Sequence, residues 1–354
     1  MCSGVVRSGR LGKKASGSLC RAKRSVRGCA AVGVPSAAVS LTSTYWQMVP
    51  CFIALGLLGA TYHAPVSSFL SQVVPKGRRG QSLGTHTIGG SASFLVTPVL
   101  AVAIASWLGA WRWSFLVLAI PTLLMGVVVW FATREPRGAG QVAEGSEAAA
   151  VRSPNPGTGL ADVSPRTITW KEILVAVGTL ALLSIVMQVV LSSVHSYLPL
   201  YLVDRHQVSP EYAGIVVGLV AGAGVLGAPI GGAISDRLGR KWVILLSLAL
   251  AGPLLFAVLW APANVLLPLS LAVYGVSVSA RMPAMESLIA DVVHPEKRAT
   301  VLGIYYLMGQ ETSGVITPLL GRLIDLGGPN PVFVTLAAGL CVVSVVALAF
   351  RKRI

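Results

Sequence analysis

Few residues of this chain could do chemistry, and most of them sit inside long apolar runs. Arg281 interrupts LAVYGVSVSARMPAMESLIA (271–290). At helical spacing Tyr274, Ser277 and Arg281 recur at i, i+3 and i+7 and so share a face. A guanidinium facing a cavity would grip a carboxylate or phosphate in forked geometry. The competing reading is an internal ion pair with Glu286 or Glu311, with Pro283 kinking the helix between Arg281 and Glu286. Gln188, Ser192 and His195 fall at i, i+4 and i+7, again one face. An imidazole could carry a proton there, or His195 could wet the outer mouth beside Tyr197. Glu311 is the strongest candidate for a coupling proton site, against a structural hydrogen bond. Tyr62 and His63 form an adjacent pair in a further apolar run, open to a lining role or to a satisfied core role. One charged stretch stands apart: GAISDRLGRK (232–241) carries Gly232, Asp236, Arg237, Gly239, Arg240 and Lys241.

The elements that must position these residues are membrane spans. The 354 residues are 54% hydrophobic and 12% charged. A soluble domain carries about 25% charged residues, so lipid must be the solvent for most of this chain. A span needs roughly 20 apolar residues. Ten candidates follow: 28–46, 47–74, 81–108, 113–132, 173–203, 211–233, 242–260, 264–290, 299–324 and 330–350. The runs are too long and too continuously apolar for barrel strands, so the fold class is an all-α polytopic membrane protein. An ionisable group inside such a span costs about 2.5–3.5 kcal/mol on insertion scales, which is why Arg281, Glu286 and Glu311 draw attention.

The net charge of +15 is topological. Eight of the 28 Lys and Arg lie in residues 1–27; of the other 20, 16 fall in loops on one side, three on the other, and Arg281 within a span. This bias puts the GAISDRLGRK turn, the 134–170 loop and the C-terminus in the cytoplasm. It also argues against nucleic acid as a partner. The five cysteines are odd in number and have no CxxC, and the five histidines are scattered, so neither a metal site nor a cofactor is expected. No GxxxxGK[ST] loop for ATP occurs.

The chain repeats itself at an offset of 219 residues. VVPKGRRGQSLG (73–84) aligns with VVHPEKRATVLG (292–303), pairing Arg79 with Arg298 and Gly84 with Gly303. The repeat also pairs Tyr62 with Arg281. Two halves of like direction are implied. The expected organisation is 1–40, a basic segment; 41–133, the first transmembrane half; 134–170, a cytoplasmic inter-half loop rich in Gly, Pro, Ser and Ala; and 171–354, a six-helix second half.

Within that frame GAISDRLGRK resembles the G-x-L-x-D-R-x-G-R-K signature of the major facilitator superfamily. GAWRWSF (109–115), RRGQSLG (78–84) and SYLPLYL (196–202) are similar to stretches found there. The resemblance covers about residues 45 to 354. It implies a two-half helical bundle with a central cavity, lined here by helices 47–74, 173–203 and 264–290. It implies that Asp236 meets basic residues and the start of a helix near Gly80. It implies a secondary transporter of the cytoplasmic (inner) membrane, moving a small solute by alternating access on a gradient, as a proton-coupled symporter or antiporter. The partners implied are solute, proton and lipid, with the chain monomeric.

The first-half copy of the signature should fall at 13–22, which reads KKASGSLCRA. The expectation is therefore about ten helices of a twelve-helix plan, with residues 1–40 out of frame or a variant leader. A non-transporting fragment is the alternative function. A polytopic membrane enzyme is the remote one, since nothing catalytic clusters.

Overall fold

A computed structural model describes residues 32–132 and 170–349. Every regular element among them is helical. In chain order they are α1 (Gly33–Ser40), α2 (Tyr45–Val73), a 3₁₀ turn (Lys76–Arg78), α3 (Arg79–Leu108), α4 (Arg112–Ala132), α5 (Trp170–His206), α6 (Pro210–Leu238) and α7 (Arg240–Trp260). There follow α8 (Leu266–Ser279), α9 (Arg281–Val292), α10 (Pro295–Tyr306), a π turn (Leu307–Glu311), α11 (Thr312–Gly327) and α12 (Pro329–Ala349).

Six helices are long and apolar enough to cross a bilayer, all or most of α2, α3, α5, α6, α7 and α12. Three expected spans differ in detail. The run 264–290 is broken at Ala280 into α8 and α9. Pro283 lacks the N–H that would bond back to the Ser279 carbonyl, so the ladder loses a rung there. The run 299–324 is divided by the π turn, where one helical turn takes an extra residue. The first candidate, 28–46, is described only as the eight-residue α1, far too short to span.

The chain divides into two compact units: Met1–Phe69 with Ala101–Thr167, and Leu70–Leu100 with Ile168–Ile354. In the first, α1 lies on α4. Gly33 sits against Leu123, and Ser36 donates to the Phe115 carbonyl at 3.3 Å. Arg112 donates to the Thr42 carbonyl at 2.8 Å and lies over the Trp111 ring, tying the GAWRWSF turn to the end of α1.

The second unit holds the larger core. α8 packs on α6 and α12 on α7, with α5 against α11 and α12. Leu248, Ala251, Leu255 and Val258 of α7 are fully buried, while Ile215, Leu226 and Leu246 on outward faces are exposed. That is the inverse of a soluble surface and suits hydrocarbon. Hydroxyls join helices through backbone carbonyls: Ser344 to Leu248 at 2.7 Å, Ser247 to Ser277 at 2.8 Å and Tyr201 to Leu259 at 3.2 Å. Ser193 and Thr317 bond at 3.2 Å, so α11 meets α5 through small polar residues.

Candidate functional site

Two groups of polar residues stand out, both in the second unit. The first gathers at the junction of α3, α6, α7 and α9. Sequence reading expects a loop at 232–241, but residues up to Leu238 are helical and the turn is the single residue Gly239. Its φ of +99° belongs to a region that residues with a Cβ avoid. Gly232 serves a different end, because its Cα lies against the Gly80 carbonyl and a Cβ there would overlap it. That approach carries the start of α3 to the Asp236 carboxylate. Oδ1 accepts from the Gly80 N–H at 3.0 Å and Oδ2 from the Gln81 N–H at 2.8 Å. These first-turn amides have no partner within their own helix and sit at its positive end, so a carboxylate is the natural acceptor.

Arg240 knots this seat to its surroundings. It pairs with Asp236, donates to the Ser235 hydroxyl at 3.1 Å and to the Lys76 carbonyl at 2.7 Å, and reaches Asp291 at 3.4 Å. Asp291 in turn binds Arg79 at 2.6 Å. Two acids and two bases thus alternate, all at most 15% exposed. Arg298, the repeat partner of Arg79, donates to the Val293 carbonyl at 3.0 Å and to the Ser71 carbonyl at 3.5 Å. Burial, then the charge of Arg79, holds its guanidinium down at about 10, against an opposing pull from Asp291. Arg237 and Lys241 of the signature take no described part in the network. Asp291 was not singled out in the sequence, although it stands one residue before the repeated Val-Val pair.

The second group lies deeper, on α5, α9 and α10. Arg281 is 1% exposed. It donates to the Tyr305 hydroxyl and to the Gln188 side-chain carbonyl, each at 2.8 Å. Gln188 donates to Ser192 at 3.5 Å. Three residues foreseen from the sequence therefore meet, and Tyr305 joins them without a sequence signal beyond its place one turn before Gly309. His195, half-buried, stands one turn on from Ser192 with its ring 6.0 Å from Phe94. Glu286 is buried but is not the ionic partner of Arg281 among the described residues. Glu311 belongs to the π turn, and its side chain lies outside the described residues.

Tyr62 and His63 lie in the other unit, in α2, with their rings edge to face at 5.5 Å. Among the described residues no three His, Cys, Asp or Glu are grouped to hold a metal ion.

Comparison with known proteins bears on the family and the fold. The family model described as Major Facilitator Superfamily matches residues 15–227 and again 180–354. An uncharacterized MFS-type transporter, YfnC, of Bacillus subtilis is 25% identical over 309 residues, covering 84% of this chain and 69% of its own length. The crystal structure of the human organic anion transporter MFSD10 superposes with a TM-score of 0.67 at 18% identity, covering 96% of this chain and 80% of that one. The proton:xylose symporter XylE superposes with a TM-score of 0.66 at 18% identity, covering 96% and 82%.

Proposed function

The chain belongs to the major facilitator superfamily and is a multi-pass membrane protein, and from that premise we propose that it is a gradient-driven secondary transporter of a small solute across the cytoplasmic membrane. The solute would be exposed alternately to the two sides of the bilayer, with no resident cofactor and no ATPase. Its orientation would place the Asp236 network and the C-terminus on the cytoplasmic side, following the loop charges.

The observation that carries the reading is the network itself. It fastens the first turn of α3 to the junction of α6, α7 and α9 through two carboxylates and two arginines. Such a joint is made of few, directional, charge-assisted bonds rather than a broad apolar interface. It can open and close as a unit without unfolding a helix, which is what alternating access asks of one end of a transporter. Protons are the proposed coupling ion. The candidates for carrying them are His63, His195, Glu286 and Glu311, and one structural neighbour, XylE, is a proton:xylose symporter.

The test is counterflow in sealed proteoliposomes with a panel of sugars, carboxylates and lipophilic cations, with and without an imposed pH gradient. At least one solute should accumulate, and accumulation should vanish when the vesicles are made leaky. A panel on which nothing moves, or an activity that survives in detergent with no second compartment, overturns the reading.

A further inference from the structure

We infer that the transported solute carries an oxyanion group, a carboxylate or a phosphonate, and that Arg281 receives it where α5, α9 and α10 meet. The inference rests on the transport reading and names the substrate class for it.

The argument turns on donors and acceptors. A guanidinium has five N–H donors and no acceptor. Two of its groups are engaged, Nη1 by Tyr305 and Nη2 by Gln188, and both partners are neutral. Nε is buried with no partner among the described residues, and Arg281 enters no ion pair among them. The edge between Nε and an Nη is the fork that fits two oxygens of one anion.

The surrounding groups point the same way. Tyr305 and Gln188 turn their oxygen acceptors to Arg281, so what they still offer is an O–H and an amide N–H. On α8, the Tyr274 and Ser277 hydroxyls are buried without partners, and so is the Ser184 hydroxyl on α5. Within α8, Tyr274 and Ser277 share a face at 100° per residue. The opposite face of α8 is the one that packs on α6, with Gly275 against Val220 and Ala223, and with Val276 and Ser279 against Gly227. The unfilled hydroxyls are therefore turned away from α6. Buried polar groups without partners are rare and call for water or a ligand. A buried guanidinium with an unpartnered N–H and no anionic partner among the described residues suits an anion. A cationic solute would meet a fixed positive charge there.

The full chain is reconstituted in nanodiscs and its thermal unfolding followed with paired probes. Benzoate is set against benzamide, and phenylphosphonate against its neutral diethyl ester. At least one anion should raise the midpoint saturably while its neutral partner does not, and the pair that responds identifies the oxyanion. Arg281→Gln should weaken the half-saturating concentration roughly ten- to a hundredfold, the loss of a charge-assisted pair of bonds. Arg281→Lys should recover part of it. Tyr274→Phe serves as a second variant that keeps the core filled, and should weaken binding several-fold. Equal shifts by charged and neutral partners, shifts that survive Arg281→Gln, or no shift by any anion overturn the proposal. A neutral solute that moves in sealed vesicles would remove this inference and leave the transport reading standing. Anion binding without transport of anything would do the reverse.

Discussion

At the scale of single residues, the signature acid has the clearest physical role. Asp236 closes two amides at a helix start and faces Arg240, so its charge is held by three donors at once. Asp236→Asn keeps the shape but turns part of that acceptor into a donor, which clashes electrostatically with the Gly80 and Gln81 amides. A loss of about 1–3 kcal/mol is expected, read as a fall in the thermal midpoint, together with a larger loss of transport. Asp236→Glu should not restore it, since the added methylene moves the oxygens off the two amides. Gly239→Ala tests the turn. Placing a Cβ at φ +99° should cost about 1–3 kcal/mol and lower the midpoint, whatever the effect on solute binding. A variant as stable as the parent would show that the turn relaxes freely.

At the scale of elements, α3 and α6 cross with almost no space between their backbones. A Cβ at Gly232 meets the Gly80 carbonyl, and one at Gly84 meets the Ala228 backbone. Gly232→Leu should therefore separate the helices and release Asp236 from its seat. Overpacking of about 1–3 kcal/mol is the minimum expected, because backbone rather than a flexible side chain is in the way. The readout is protein recovered folded in detergent, with Gly339→Leu, where nothing lies within 4 Å, as the tolerated control. The break between α8 and α9 is a second element-scale feature. Pro283 was legible as a kink, yet its consequence is that Arg281 becomes the first residue of a new helix rather than the interior of one span.

For the whole molecule, the loop charges make a prediction about sidedness. With the native cysteines replaced by Ser, Asn264→Cys should react with a membrane-impermeant maleimide on intact cells. Lys76→Cys should react only after permeabilisation. Both positions are exposed, so the difference reads topology alone. The reverse pattern would invert the assignment of the Asp236 network to the cytoplasm. The repeat also takes physical form. Arg79 and Arg298 stand 219 residues apart, and each contacts the segment just before the other: Arg79 reaches Asp291, and Arg298 reaches Ser71.

The sequence by itself determined the solvent, the helical class, the parallel repeat and the family, because hydropathy, loop charge and the DRLGRK spacing are local properties written one residue after another. It also put Gln188 and Ser192 on one helix face and Tyr274, Ser277 and Arg281 on another, since helical periodicity needs no tertiary knowledge. Only the tertiary structure decided who meets whom. Nothing in the order of residues says that Arg281 takes Gln188 and Tyr305 rather than Glu286, or that Asp291 completes the Asp236 network. Those choices depend on the crossing and rotation of helices far apart in the chain. They are fixed by close approaches such as Gly232 on Gly80 and by interruptions at Ala280 and in the 307–311 turn, whose angles no single-helix pattern encodes.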